Sequence, residues 1–67
     1  MFYTYILKSL KDEKRYVGYT NDIKIRLKFH NGGLNLSTKN RRPLKLLCFK
    51  TFSNKQDAIR YERYLKN

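Results

Sequence analysis

A chain of 67 residues with a single cysteine has to hold its fold by burial alone. Cys48 has no partner for an internal disulfide, and no Cys/His cluster has the spacing of a structural zinc site. A chain this short buries only about 60% of the surface it exposes when unfolded, so its stability is marginal. Residues 1–67 are therefore expected to form one domain, since no second core can be built from so few. Ten aromatics, six Tyr and four Phe, are the material for that core, because aromatic side chains bury the most area per residue. Cys48 is expected inside as a small hydrophobe. The lack of staples fits a reducing compartment, so a cytoplasmic location is expected. No apolar run approaches the roughly 18 residues of a membrane span, and no secretory signal opens the chain.

Sixteen Lys and Arg stand against five acids, a net charge of +11. Self-repulsion of that size opposes a compact state, and a surface serving solubility alone intersperses both signs. A polyanion is the partner such a chain fits, because Lys and Arg that neutralise phosphates release condensed counterions. Charge does not distinguish a partner that is bound from one that is cut.

From Phe2 to Leu10 the residues alternate as a strand, with Tyr3, Tyr5 and Leu7 on one face and Phe2, Thr4 and Ile6 on the other. A polar break, Lys11 to Lys14, separates it from a second strand, Arg15 to Thr20. Antiparallel pairing is the economical connection over so short a gap. Asn21 is placed to cap a helix from Asp22 to about His30, with Ile23 and Leu27 turned inward and Gly32 and Gly33 ending it. Leu34 to Pro43 is polar, basic and irregular. Leu44 to Phe52 is apolar enough for the central strand of a sheet. Ser53 with Gln56 has capping-box spacing and opens a last helix through Lys66, with Ala58, Tyr61 and Leu65 as its core stripe. The order strand, strand, helix, strand, helix predicts an α+β fold: a three-stranded antiparallel sheet flanked by helices.

Few constellations in this chain carry chemistry. His30 is the only histidine, no glycine-rich phosphate loop is present, and Asp12, Glu13, Asp22 and Asp57 fall in turns or first helical turns. Glu62 differs: it lies late in a helix, where the dipole disfavours an acid. A hydrolase built here would hold one metal through Glu62. An ordinary alternative is a helix-surface ion pair with Lys66. Tyr5 and Tyr16 fall on adjacent strands. Phenols titrate near 10, and neighbouring cations lower that value; the same residues also serve as packing in a small sheet. Arg26 and His30 share one face of the first helix, where an arginine can clamp a phosphate through its planar fork.

Together these residues resemble the GIY-YIG nuclease superfamily, in particular its small single-domain bacterial members. Tyr3-Thr4-Tyr5 stands where the family has Gly-Ile-Tyr, and Tyr16-Val17-Gly18 where it has Tyr-Ile-Gly. Tyr19-Thr20-Asn21-Asp22-Ile23, then Arg26 and His30, follow its continuation into a helix. Arg42-Pro43-Leu44-Lys45-Leu46 resembles its entry to the third strand, and Ala58, Glu62 and Leu65-Lys66 its final helix. The match covers nearly the whole chain in order.

The resemblance implies a metal-dependent endonuclease that hydrolyses phosphodiester bonds of nucleic acid, with DNA the expected substrate. It implies that Tyr5 and Tyr16 orient and deprotonate the attacking water, without saying which is the base. Arg26 then stabilises the phosphorane charge, and His30 assists by hydrogen bonding or proton transfer. Glu62 holds one divalent ion, magnesium or manganese. Lys39, Arg41 and Arg42, with Thr20, are the residues expected to contact the nucleic acid. Tyr19 stands where excision-repair relatives carry lysine. The chain ends five residues after Glu62, ahead of an asparagine many relatives carry, which implies reduced activity. The rival reading is a non-catalytic basic module whose sheet tyrosines stack on bases.

Overall fold

The computed structural model describes residues 1–67. It contains strands β1 (Phe2–Ser9) and β2 (Arg15–Thr20), helix α1 (Ile23–Asn31), a short 3₁₀ turn (Lys39–Arg41), strand β3 (Leu44–Phe52) and helix α2 (Lys55–Lys66). The three strands form one antiparallel sheet in the order β2-β1-β3. This is the α+β architecture expected, with one correction to its centre. β1, not β3, is the middle strand. Thr4, Tyr5, Leu7 and Ser9 of β1 are buried, whereas most of β3 is exposed. The apolar run from Leu44 to Phe52 reads like a strand covered on both sides, but run length alone does not reveal how many neighbours a strand has. β3 is an edge strand and leaves Phe49 53% exposed.

Cys48 is also corrected: it is exposed on β3. The β1–β3 register runs Ile6 with Cys48 and then Leu7 with Leu46, so Leu47 is an extra residue between them. Such a bulge re-aims the side chains of the strand that carries it.

Both helix starts lie one residue beyond the expected caps. Asp22, not Asn21, caps α1, its Oδ1 accepting from Ile25 N–H at 3.0 Å. Thr20 Oγ1 in turn accepts from Asp22 N–H at 3.1 Å, which holds Asp22 in extended backbone and leaves Asn21 in the connection. Asn54, not Ser53, caps α2. Its Oδ1 accepts from Asp57 N–H at 2.9 Å, and its Nδ2 donates to Asp57 Oδ2 at 2.9 Å. The reciprocal pair satisfies the pattern that Ser53 and Gln56 were expected to fill, one residue later. Gly33, with φ at 78°, ends α1 in the left-handed region that favours glycine.

The buried apolar set is small: Tyr5, Leu7 and Leu44 pack together with half-buried Tyr16, Leu27 and Leu46 around them, and Ala58 lies under α2. Five further buried residues are polar: Thr4, Ser9, Thr20, His30 and Thr38. Each must be hydrogen-bonded to be tolerated, and no buried side-chain polar atom lacks a partner. Thr4 turns to α2 and donates to Ala58 O at 2.7 Å. Tyr5, the next residue, turns the other way, to α1.

Candidate active site

β1 and β2 pair Tyr5 with Gly18 and Leu7 with Tyr16. Tyr5 and Tyr16 therefore lie diagonally on one face of the sheet, with glycine opposite Tyr5. The glycine is required there. A Cβ at Gly18 would lie 2.5 Å from Tyr5 Oη and 2.7 Å from its Cζ, far inside the 3.5–4.0 Å optimum for carbon contacts. The ring of Tyr5 lies against the bare Gly18 backbone, so its hydroxyl reaches across β2 into a cleft.

That cleft has a volume of about 410 Å³. Tyr5 reaches it from β1, Tyr16 and Gly18 from β2, Arg26 from α1 and Glu62 from α2; Thr20 and Asn35 also line it. The structure thus brings together four of the five residues proposed from sequence as reacting groups. The fifth, His30, stands directly behind them. It is fully buried on α1, with Nε2 3.0 Å from Tyr5 Oη and its ring packed edge-on against Tyr16 at 5.0 Å. On its far side, Nδ1 lies 2.8 Å from the hydroxyl of fully buried Thr38.

Thr38 is the residue sequence reasoning missed. It sits in a basic, irregular segment where hydroxyls are normally solvated, and its neighbours are exposed. One signal was available. A sole histidine on the inward face of a helix needs partners for both ring nitrogens, and a hydroxyl in the next loop is a short reach.

The electrostatics correct one expectation. Cations nearby were expected to lower the tyrosine pKa values, but burial dominates at Tyr5 and pushes its phenol well above the usual range. Tyr16 and Glu62 add to the rise, and Arg26 opposes it without overcoming it. His30 is shifted down, first by burial and then by Arg26. Near neutral pH the Tyr5–His30 pair is thus a protonated phenol beside an uncharged imidazole.

Glu62 has 16% of its side chain exposed and pairs with Lys66 at 3.1 Å. Glu62 thus has the i,i+4 lysine partner and also lines the cleft. It is the only acid lining that cleft, and no group of three or more His, Cys, Asp or Glu side chains gathers elsewhere.

The basic segment divides. Arg41 is turned inward, its Nε 3.2 Å from Asp12 Oδ2 and its Nη2 donating to Arg15 O at 3.3 Å. Lys39 and Arg42 are exposed and line a separate groove. Thr20 is buried, and its hydroxyl bonds the backbone of Asp22.

A paired-tyrosine cleft on a β-hairpin, completed by an arginine from the following helix and a carboxylate from the last, defines a class of protein. The model of the GIY-YIG catalytic domain matches residues 1–67, and the chain belongs to that family of nucleases, which act on nucleic acid and generally depend on a metal ion. Within it the chain is similar to the UPF0213 proteins. One from Clostridium perfringens is 46% identical over 67 residues, covering 98% of this chain and 71% of that protein. YazA of Bacillus subtilis is 44% identical over 63 residues, covering 92% of this chain and 63% of that one. The solution NMR structure of a UPF0213 protein from Bacillus halodurans superposes with a TM-score of 0.57 at 38% identity, over 98% of this chain and 71% of that one. This chain thus spans 63% to 71% of the length of these relatives. No helix of the structure is long and apolar enough to cross a membrane.

Proposed function

We propose that residues 1–67 form one catalytic unit that hydrolyses phosphodiester bonds of DNA in the cytoplasm by attack of water. The observation that carries this reading is the convergence of Tyr5, Tyr16, Arg26 and Glu62, from four separate elements, on one cleft. A packing role explains each tyrosine alone. It does not explain an arginine and the cleft's only acid beside them.

The roles follow from the environments. Arg26 presents a guanidinium fork to the phosphate and stabilises charge that develops on its oxygens. Tyr5, held protonated by burial, acts as a hydrogen-bond donor that orients the attacking water. His30 fixes the direction of that hydroxyl. Tyr16, half-buried at the cleft, is assigned the proton transfer: once its own proton has left, its phenolate oxygen takes the proton from water and becomes a phenol again. Lys39 and Arg42 are exposed outside the cleft and free to contact the nucleic acid there, whereas Thr20 is buried and holds the turn into α1 through Asp22.

The donor set of the cleft fits one divalent ion, magnesium or manganese. Magnesium keeps several waters and is held by one or two carboxylates together with substrate phosphate, not by a full protein cage. Glu62 alone meets that requirement, with Lys66 as the cation it gives up or shares. When bound, such an ion supplies Lewis-acid polarisation of the phosphoryl oxygen and support for the leaving oxygen.

The test is nicking of supercoiled plasmid with magnesium, manganese or chelator. Glu62→Gln keeps the shape of the side chain and removes its charge. If the acid serves only its pair with Lys66, the change costs about 0.3–0.5 kcal/mol and leaves cleavage alone. On the proposed role, cleavage is lost while DNA binding is kept or strengthened. Wild-type nicking by the variant, or nicking in chelator, overturns the one-ion reading. DNA binding by the wild type with no cleavage of any substrate favours the stacking module.

A further inference from the structure

A second groove lies outside the cleft and shares no residue with it. It has a volume of about 460 Å³ and is lined by Lys11, Asn31, Lys39, Asn40, Arg42 and Pro43, three cations and no acid. We propose that this groove binds the phosphodiester backbone of the nucleic acid beyond the scissile site, so that the chain grips one substrate at two places. The inference rests on the nuclease reading above and adds the grip that sets how much substrate is engaged.

The groove is built, not merely charged. Lys11 comes from the β1–β2 turn and Lys39 and Arg42 from the segment before β3, and three bonds hold these parts together. Buried Ser9 donates its hydroxyl to Arg41 O at 2.6 Å, Leu10 N–H donates to Pro43 O at 2.9 Å, and Arg41 pairs with Asp12 at 3.2 Å. Asp12, an acid of the same turn as Lys11, is thereby engaged by Arg41, which acts as the strut of the groove and not as its ligand. Arg42 is itself held. Its Nε donates to Lys39 O at 2.8 Å. Its guanidinium lies over Gly33, where a Cβ would meet Nη1 at 2.9 Å.

Lys11, Lys39 and Arg42 have no carboxylate partner among the ion pairs of the fold. Nor are they needed to satisfy the end of α1. The carbonyls of Lys28, Phe29 and His30 accept from the backbone N–H groups of Gly32, Leu34 and Gly33. Asn31 commits its amide to the Leu44 backbone, donating to Leu44 O at 3.0 Å and accepting from Leu44 N–H at 2.7 Å. A fixed arginine fork with two lysines and the amide of Asn40 is the chemistry that recognises phosphate.

The segment that forms this groove also reaches the cleft: Asn35 lines the cleft, and Thr38 bonds His30 between the two sites. A strand that leaves the cleft along this segment meets Lys39 and Arg42 next.

The experiment measures binding of fluorescein-labelled DNA in chelator, so that nothing is cut, across salt concentrations and oligonucleotide lengths. The groove variant carries Lys11→Gln, Lys39→Gln and Arg42→Gln. The control carries Lys28→Gln, Lys45→Gln and Arg63→Gln, three exposed cations outside every cleft. For DNA long enough to span both sites, the groove variant should lose on the order of tenfold more affinity than the control. Its salt slope should flatten by about 0.9 for each phosphate the variant no longer neutralises. For tetranucleotides that fill only the cleft, the groove variant and the control should bind alike. Amide NMR of the wild type is the second measurement: long DNA should shift Lys39, Asn40 and Arg42, and tetranucleotides should not. Equal losses in the groove and control variants, or no amide shifts at Lys39 to Arg42, overturn the groove while leaving the nuclease reading in place. A wild type that binds no DNA overturns both.

Discussion

Gly18→Ala tests the geometry of the cleft most directly, because the general effect of the substitution and the local one have opposite signs. Gly18 lies in strand β2 with no left-handed backbone to preserve. At such a position Ala for Gly ordinarily stabilises by about 0.4–1 kcal/mol, through a less flexible unfolded chain. Here the new methyl would sit 2.5 Å from Tyr5 Oη and 3.3 Å from Tyr16 Cε2. The Tyr5 ring must retreat by roughly 1 Å to restore ordinary contact. Tyr5 is only 3% exposed, so it retreats against packed neighbours. Overpacking of this kind costs about 1–3 kcal/mol. Losing the hydrogen bond to His30 adds about 1 kcal/mol. The net expectation is a loss of about 1–3.5 kcal/mol once the usual gain is subtracted. At about 4–8 °C per kcal/mol for a domain of this size, the melting temperature falls by at least roughly 4 °C.

A double-mutant cycle separates this mechanism from unspecific damage to the sheet. Tyr5→Phe removes the atom nearest the new methyl but leaves Cζ at 2.7 Å. Gly18→Ala should therefore cost less in the Tyr5→Phe background than in the wild type, by about 0.5 kcal/mol or more. Thermal and urea unfolding followed by circular dichroism measure all four proteins. A Gly18→Ala protein that melts at or above the wild-type temperature refutes the reasoning. So does strict additivity with Tyr5→Phe.

Three further outcomes are expected. Tyr5→Phe alone should leave the chain folded and lower plasmid nicking by about 10² or more; nicking at the wild-type rate makes Tyr5 a packing residue only. Thr38→Val keeps the shape of the side chain but leaves His30 Nδ1 without its partner, a loss of about 1–3 kcal/mol. If Thr38 positions His30, the His30 ring resonances should broaden and kcat should fall more than KM rises; unchanged ring resonances argue against that role. The third outcome concerns pH. The pKa of His30 is held below its unfolded value of about 6.5, so the unfolded state binds the extra proton first and stability rises with pH across that interval. Melting temperature should decline as pH falls below about 6.5, and His30→Gln should abolish that decline. A single histidine makes the attribution clean.

Much of the fold was readable because its signals are local. The tyrosine-bearing strand, the short polar break after it and the double glycine after α1 each act over a few residues, and each appears where expected. The near-misses came from competition at equal strength. Asn21 and Asp22, and Ser53 and Asn54, are adjacent residues of similar capping power, and bonds from Thr20 and Asp57 decide between them. What could not be read was tertiary. Sequence does not show that β3 has one neighbour, that the register shifts at Leu47, that Cys48 is left exposed, or that Ser9 and Thr38 are buried. Nor does composition predict that burial outweighs a strongly basic chain at Tyr5. Charge is counted along the sequence, but desolvation depends on what packs against one ring.

The buried set shows why site and core coincide in so short a chain. Tyr5 packs with Leu7 and Leu44 and also reaches into the cleft. His30 is fully buried and joins Tyr5 of β1 to Thr38 of the basic segment through its two ring nitrogens. Ser9 joins the β1–β2 turn to the same segment through Arg41. A larger protein would use apolar side chains for these joints and keep its reactive groups on loops. Here the apolar material runs out, and hydroxyl and imidazole groups tie the strand, the helix and the irregular segment together. Buried bonds of this kind fix direction as well as hold neighbours together, because a hydrogen bond weakens steeply off line. The bond that stabilises the junction of β1 and α1 is therefore the same bond that aims the Tyr5 hydroxyl. Truncation of Tyr5 or His30 to alanine consequently removes fold and geometry together, and loss of cleavage in such a variant says nothing about chemistry. Only replacements that keep shape and remove one polar atom, such as Tyr5→Phe, Thr38→Val and Glu62→Gln, separate the two.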